Sequence, residues 1–141
     1  RACFSQALLG QANLALARMN FADLRNAELV KSNLRGASLT RAMMDGANLS
    51  YANLAAIKDD APNIRAARTN LGAAKLKKAV LVGANLSGAS LVAADLREAD
   101  LREANLTGAD LTDGRFDGAN LLGAQMTNAR LDRARDLLLP N

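Results

Sequence analysis

Large apolar residues recur at every fifth position along most of the chain, and alanine stands two residues before nearly every one of them. A step of five residues would scatter these side chains around an α-helix and would send successive ones to opposite faces of a flat strand. Neither element can therefore bury the pattern. A fixed short period over a whole chain instead predicts a solenoid, in which each unit covers its apolar face by stacking on copies of itself.

The repeat runs through 24 units, each centred on Leu, Met or Phe, and 21 of them have Ala two residues earlier. Ser32, Thr69 and Gly114 replace the alanine in the other three. If each unit is a short extended piece followed by a tight turn, the large and the small residue both face one axis, and four units close a square coil. The predicted structural core includes Leu24, Leu34, Leu49, Leu86, Leu96, Leu101, Leu106, Leu111, Ala94, Ala99, Ala104 and Ala109.

Seven of the ten glycines lie two residues after a central residue, where a type II turn needs a positive φ angle. We therefore expect positive φ at glycines such as Gly88 and Gly108. We expect another turn type in units with a larger residue at this position, which are those of Lys31, Arg41, Tyr51, Glu98 and Glu103.

The chain resembles the pentapeptide-repeat proteins, whose loose motif is A(D/N)LXX, from about Ala2 to Leu131. The resemblance implies an all-β fold, a right-handed quadrilateral β-helix of about six to seven square coils. Asn or Asp stands before the centre in many units, where a short polar side chain can hydrogen-bond the local backbone. These residues include Asn13, Asn48, Asn53, Asn85, Asp95, Asp100, Asn105, Asp110 and Asn120.

The repeat changes frame between Leu54 and Leu71, which are 17 residues apart, or three units plus two residues. The segment at about 55–70 must therefore contain a frame-shifting loop. Ile64 stays in the first frame, which places the two extra residues between Arg65 and Thr69. The loop is either a neutral bulge or a carrier of specificity. In the family that the chain resembles, interrupting loops contact partners in some members.

The chain has room for one domain. We expect a repeat β-helix at 1–136 and an apolar tail at 137–141, which is a lid, a homodimer contact or the start of a further domain. Because the first residue is not Met and lies within the first unit, we expect a processed product or a fragment. No apolar run is long enough to span a membrane and no signal peptide is recognisable, so we expect a cytoplasmic location.

Catalytic chemistry has little support in the composition. The chain has no histidine, and Cys3 is its only cysteine, which excludes His-based acid–base catalysis and an intramolecular disulfide. Asp59 and Asp60 are adjacent acids without other ligands, as is typical of a solvated turn. We therefore predict that the protein is not an enzyme and has no catalytic, metal or cofactor-binding site and no cofactor.

The charge balance bears on the choice of partner. Eighteen Lys and Arg oppose fourteen Asp and Glu, giving a net charge of +4, and the basic excess lies in the first half of the chain. Aromatic residues that could stack on bases are scarce, so a nucleic-acid partner is not expected. The leading hypothesis is a non-enzymatic scaffold that binds a protein partner or an adjoining domain of a longer chain.

The alternative hypothesis comes from the resemblance, because some pentapeptide-repeat proteins modulate DNA gyrase by mimicking duplex DNA. The net charge of +4 has the wrong sign for such mimicry. A local acidic face would have to come from Asp95, Asp100, Asp110, Asp113 and Asp117, and Arg97 and Arg102 interrupt it.

The candidate protein-contact residues combine the interrupting loop with the basic residues that follow it. They are Lys58, Arg65, Arg68, Lys75, Lys77 and Lys78, with Phe21 and Tyr51 as outward aromatic residues. With a coil of twenty residues, Arg97 should lie above Lys77 and Glu98 above Lys78. The patch is either a contact for an acidic protein surface or a solvated rim that only prevents end-to-end association.

Overall fold

A computed structural model describes residues 1–58 and 67–139, and most of these residues form one regular coil. On either side of an insertion, parallel bridges join each bridging residue to the residue twenty positions later, as from Cys3 to Asp23 and from Asp23 to Met43. Among the described residues there is no helix and no strand longer than a single bridging residue. The coil is therefore a four-sided solenoid in which every side contributes one bridging residue per turn.

We name the four sides A to D in chain order. Face A contains Cys3, Asp23, Met43, Lys75, Asp95, Arg115 and Arg135. Face B contains Leu8, Glu28, Asn48, Val80, Asp100 and Asn120. Face C contains Asn13, Asn33, Asn53, Asn85, Asn105 and Gln125. Face D contains Arg18, Ser38, Asn70, Ser90, Asp110 and Arg130.

A tight turn separates each face from the next. The carbonyl of a central residue accepts a hydrogen bond from the N–H three residues later, as from Ala99 to Leu96 and from Ala104 to Leu101, both at 3.1 Å. The two residues between them form the corner, which we name by the faces that it joins. In a four-sided coil the A/B corner is diagonally opposite the C/D corner, and the B/C corner is diagonally opposite the D/A corner.

The core lies along the axis of the coil. All twelve residues of the predicted core are at most 1% exposed. The central residues of the end coils, such as Phe4, Leu9, Met126 and Leu131, are only half-buried because one side of their coil has no neighbour. Burial of each Leu is worth about 1.5–3 kcal/mol, and it depends on the coils above and below.

The prediction of positive φ is right for the glycines and wrong for the larger residues. Gly88 and Gly108 have φ of 69° and 66°, and Glu98 and Glu103 have nearly the same values, 58° and 59°. Lys31, Arg41 and Tyr51 also adopt φ of 55–58°. The ladder between coils imposes this conformation, because the corner N–H must reach the next coil, as from Glu98 to the Asp117 carbonyl at 2.8 Å. Each Cβ in this region costs about 1–2 kcal/mol.

The Asn and Asp residues before the central positions hydrogen-bond the corner backbone, as their sequence position predicts. In all nine units named above, the side-chain oxygen accepts from the N–H two residues later, at 3.0–3.2 Å. The side chains of Ser38 and Lys75 do not accept from the N–H groups of Thr40 and Lys77. There the acceptor comes from the coil below, from Asn20 and Asp45 respectively, both at 3.0 Å.

The predicted insertion of two residues is wrong. The two residues of a bridge are 20 positions apart in the pair Asn33–Asn53 but 32 positions apart in the pair Ser38–Asn70. The separation is 20 again in the pair Asn70–Ser90. The insertion is therefore twelve residues long, and Leu54 and Leu71 are consecutive central residues of the described coil. The insertion leaves at the C/D corner, where Ile57 and Ala67 form an antiparallel bridge. The predicted positions of Ile64 and Arg65 lie outside the described residues.

Thr69 repairs the coil where the insertion interrupts its ladder. One coil earlier on the same corner, the Leu16 N–H donates to the Arg35 carbonyl at 2.9 Å. The equivalent Gly36 N–H instead donates to Thr69 Oγ1 at 2.8 Å, and that hydroxyl donates to the Ala55 carbonyl at 3.1 Å. The buried hydroxyl thus bridges two backbone groups that would otherwise pair directly.

Candidate protein-contact surface

The predicted contact residues lie on different sides of the coil. Lys77 and Lys78 are residues of the A/B corner, whereas Lys58 follows the C/D corner and Arg68 lies at the start of face D. Because the A/B and C/D corners are diagonally opposite, the two groups cannot form one surface. Arg65 lies outside the described residues. The structure therefore does not bring the loop and the following lysines together as one patch.

Acidic neighbours partly neutralise the A/B corner. Lys77 Nζ and Lys78 Nζ lie 3.6 and 3.7 Å from the Glu98 carboxylate. The Lys78 N–H donates to the Arg97 carbonyl at 2.9 Å, which places Arg97 and Glu98 above the two lysines as the register predicts. Asp45 lies in the coil below and accepts from the Lys77 N–H. The shallow groove at this corner, about 300 Å³, therefore holds both signs of charge.

Arginine residues also pair with aspartates along face A. Asp23 accepts from Arg25 Nε at 2.8 Å and Nη2 at 2.7 Å, and Asp95 binds Arg97 in the same way at 2.7 and 2.6 Å. The hydrogen bonds from Arg25 lower the pKa of Asp23 to about 2, and those from Arg97 lower the pKa of Asp95. These guanidinium groups are therefore already bound to carboxylates of their own chain.

The acids of the predicted DNA-like face are divided among several sides. Asp95 lies on face A and Asp117 on the corner after it, Asp100 lies on face B, Asp110 on face D and Asp113 at the D/A corner. Arginine side chains lower the pKa of the carboxyls at 95, 100 and 113, and a threonine hydroxyl lowers the pKa of the one at 110. The described residues therefore present no continuous acidic face.

A different cluster forms a cavity of about 470 Å³ along the D/A corner and the adjoining edge of face A, which we name the D/A pocket. The residues that line the D/A pocket are Arg1, Asn20, Phe21, Arg41, Met43 and Lys75. The charged side chains of the described residues that line it are all cations. Within the described ranges, none of these three cations has an ion-pair partner.

Phe21 and Arg41 occupy the same corner in successive coils. The guanidinium carbon of Arg41 lies 6.0 Å from the centroid of the Phe21 ring, at the outer limit of a cation–π contact. The Phe21 residue remains 51% exposed. Sequence reasoning named Phe21 and Lys75 but missed Arg41 and Met43. The spacing of twenty residues could have found Arg41, whereas Lys75 reaches this pocket only because the insertion places it above Met43.

Hydrogen-bond donors dominate the polar lining of the D/A pocket. The Asn20 side-chain oxygen accepts from the Ser38 hydroxyl at 2.6 Å and from the Thr40 N–H at 3.0 Å, which leaves the Asn20 amide N–H groups as donors. The backbone N–H groups of Phe21 and Arg41 are used in the ladder between coils, each at 2.9 Å. The pocket therefore offers cationic and amide side chains to a ligand, but not these two backbone donors.

The second predicted aromatic contact lies far from the first. Tyr51 is 57% exposed at the B/C corner, diagonally opposite Phe21 at the D/A corner. Its ring covers Gly83 in the next coil, where an added Cβ would come within 2.5 Å of the ring. Phe21 and Tyr51 therefore cannot contact the same small segment of a partner.

Within residues 1–58 and 67–139, no cluster of three His, Cys, Asp or Glu residues could hold a metal ion. Cys3 is exposed. The same part of the chain contains no helix with the length and apolar character that crossing a membrane requires.

The family model for pentapeptide repeats matches eight copies, over residues 2–41, 29–55, 67–102 and 99–135. The chain belongs to the pentapeptide repeat family. The match confirms the resemblance carried by the five-residue period, and it leaves most of the insertion outside the repeats. The family consists of β-helices, in agreement with the four-sided solenoid formed by the described residues.

Solved structures of other family members are similar to this pentapeptide-repeat chain. HetL, a protein involved in heterocyst differentiation regulation from the cyanobacterium Nostoc sp. strain PCC 7120, is 30% identical over 94% of this chain and 65% of HetL, with a TM-score of 0.62. The chain thus spans less than two thirds of HetL.

Two further structures are similar to smaller extents. A protein of the Arabidopsis thaliana thylakoid lumen is 30% identical over 69% of this chain and 68% of that one, with a TM-score of 0.32. QnrB1, a plasmid-mediated fluoroquinolone resistance protein, is 24% identical over 96% of this chain and 61% of QnrB1, with a TM-score of 0.39. Among curated protein sequences there is no significant match.

Proposed function

We propose that this pentapeptide-repeat rod is a non-enzymatic scaffold that binds an acidic surface of a protein partner, or of an adjoining domain of a longer chain. The proposal rests on one observation, namely that some cations of the rod form ion pairs with its own aspartates and others do not. Arg25, Arg97 and Arg102 are each held by an aspartate two residues earlier, whereas Arg41 and Lys75 have no such partner among the described residues. Unpaired cations on a regular scaffold attract and orient an acidic partner.

The carboxyl groups give little support to an enzymatic alternative. A general base works best with a pKa near the operating pH, whereas hydrogen bonds lower the pKa of Asp23, Asp95 and Asp100 below the usual range. The Asp117 carboxyl raises the pKa of Asp136. That pair lies at the end of the coil and lines neither the groove at the A/B corner nor the D/A pocket.

DNA mimicry requires a continuous run of negative charge on one side of the rod. The five aspartates that could supply it lie on different faces, and most are bound by arginine side chains. No contact or charge cluster of the described residues favours this function. A gyrase supercoiling assay with and without the protein separates the two hypotheses, since the scaffold proposal predicts no effect on supercoiling.

The proposal extends to the domain organisation. We propose a right-handed coil that forms one domain over 1–136, with 137–141 as a tail that covers the last coil and mediates dimerisation. Leu137 packs against the core cluster, whereas Leu138 and Leu139 are 78% and 57% exposed. Truncation after Asp136 should convert a dimer into a monomer in light scattering. An unchanged molar mass per particle would refute the dimer contact.

The scaffold proposal is tested by inverting the charge of the predicted contact lysines. Lys75, Lys77 and Lys78 are changed together to Glu, and binding proteins are captured from the extract of the source organism with the parent rod and with the variant. The proposal predicts a protein that the parent retains at low salt and releases at high salt, and that associates more slowly with the variant.

The control is a second triple variant with the same change in net charge. Arg18, Lys31 and Arg35 lie on face D, at the B/C corner and at the C/D corner, away from the three lysines, and none of them is a candidate contact residue. Their replacement by Glu should leave more of the binding intact. Equal losses in both variants would indicate a non-specific charge effect, and the absence of any salt-sensitive partner of the parent would refute the proposed function.

A further inference from the structure

We infer that the D/A pocket is the place where the partner inserts a carboxylate side chain together with a neighbouring apolar side chain. The inference rests on the proposed function, because it gives the acidic partner a specific contact site. It also shifts the contact away from Lys77 and Lys78, which are already close to Glu98.

Charge selects the carboxylate. Arg41 and Lys75 approach the D/A pocket from two different coils, and the side-chain amide of Asn20 at the D/A corner adds a neutral donor. No acid among the described residues lines the pocket. An anion that enters can therefore be bound by several donors without displacing an internal ion pair, and the planar guanidinium of Arg41 can bind both oxygens of a carboxylate.

The apolar lining selects the neighbouring side chain. Phe21 exposes about half of its surface at the rim, and Met43 lies one coil below Lys75 on face A, where its Sδ accepts a hydrogen bond from Arg1 Nη2 at 2.9 Å. The unbranched side chain of a methionine adapts to side chains of different shape. The volume of about 470 Å³ is within the usual range of ligand clefts, about 300–1,000 Å³. The preferred segment therefore alternates acidic and large apolar residues.

The lining favours a carboxylate over a phosphate group. Phosphate sites are commonly built on free backbone N–H groups in a concave loop or at a helix N-terminus. In this corner the backbone N–H groups of Phe21 and Arg41 donate to carbonyls of the next coil. Neither of these two N–H groups is free to bind a phosphate, so an acidic protein segment is the ligand that we expect.

The test uses the blocked peptide acetyl-Glu-Leu-Asp-Phe-Glu-amide as the probe and follows amide shifts of the isotope-labelled full chain by NMR. The shifts should concentrate at residues 20–21, 41–43 and 75, with a Kd on the order of 1 mM or tighter. The matched peptide with Gln and Asn in place of the acids should bind at least about fivefold more weakly, since it lacks the charges. Inorganic phosphate at the same concentration should produce smaller shifts.

Two pairs of variants localise the binding. Arg41→Glu is matched by Lys31→Glu, because both residues are exposed corner cations with φ of 55° and 58° on diagonally opposite corners. Phe21→Ala is matched by Tyr51→Ala, because the two aromatic residues have similar φ angles, 61° and 57°, and similar exposed fractions, 51% and 57%. The D/A variants should weaken peptide binding about fivefold to tenfold, and the opposite-corner variants should change it less than twofold.

The outcomes are distinct. Absence of shifts up to about 5 mM peptide, shifts centred on residues 77–78, or equal losses in Arg41→Glu and Lys31→Glu would each overturn the inference. Binding of phosphate that is stronger than that of the peptide would do the same. If the parent rod still retains a salt-sensitive protein partner in these cases, the proposed function stands and only its assignment to the D/A pocket fails.

Discussion

Replacement of Thr69 by Val removes one hydroxyl and leaves a side chain of nearly the same shape. Thr69 is fully buried, and its hydroxyl accepts from the Gly36 N–H and donates to the Ala55 carbonyl. Loss of the hydroxyl leaves both backbone groups without this partner, and a buried group left unpaired costs about 1–3 kcal/mol. We therefore expect Thr69→Val to lower the free energy of unfolding by about 2 kcal/mol, even though the new methyl group is apolar.

Thermal unfolding followed by circular dichroism measures the effect. For a chain of this length each kcal/mol corresponds to roughly 3–5 °C, so Tm should fall by about 6–10 °C. Thr69→Ser keeps the hydroxyl and should lose much less. Thr107→Val is the matched control, because the described residues show no hydrogen bond from the Thr107 hydroxyl and the threonine is only half-buried.

Amide hydrogen exchange provides a local measurement of the same contact. The Gly36 N–H should exchange faster in Thr69→Val but not in Thr69→Ser, since only the serine can still accept its hydrogen bond. If Thr69→Val unfolds at the same temperature as Thr69→Ser, or if exchange at Gly36 is unchanged, the hydroxyl does not bridge the interrupted ladder and the account of this site is wrong.

Three further changes test the core. Ser32→Ala should raise Tm by a few degrees, because the buried Ser32 hydroxyl has no hydrogen-bond partner; a lower Tm would contradict this. Gly114→Ala should cost about 1–3 kcal/mol, since the added Cβ would lie 2.8 Å from the Phe116 ring, and Phe116→Leu in the same chain should recover much of the loss in a double-mutant cycle. Ala94→Leu should lower the free energy of unfolding by about 1–3 kcal/mol or more, because the larger side chain overpacks the axis of the coil. Ala93→Leu, at the exposed neighbouring corner position, should be nearly neutral. Equal melting temperatures of the two variants would refute the inward and outward assignment.

The three exceptions to the alanine rule show how far sequence reasoning extends. The period identifies Ser32, Thr69 and Gly114 as small residues in an inward position, and all three are indeed buried. Their individual roles depend on contacts that the period does not contain. Gly114 accommodates the Phe116 ring, Thr69 bridges the interrupted ladder, and no contact in the structure explains Ser32.

The sequence by itself determined the five-residue unit, its inward and outward positions, the polar side chains that bind the corner backbone and the family. These features repeat in every unit, and only a coil that stacks unit on unit buries both the large and the small residue. The tertiary structure decided the turn conformation at residues such as Glu98, because hydrogen bonds between coils outweigh the local cost of a Cβ at positive φ. It also decided the size of the insertion and thereby the register of everything after it. Because the insertion is twelve residues long, Lys75 lines the D/A pocket together with Arg41 and does not form a patch with Lys58. The length of the insertion is fixed by pairing between distant segments and not by any local pattern.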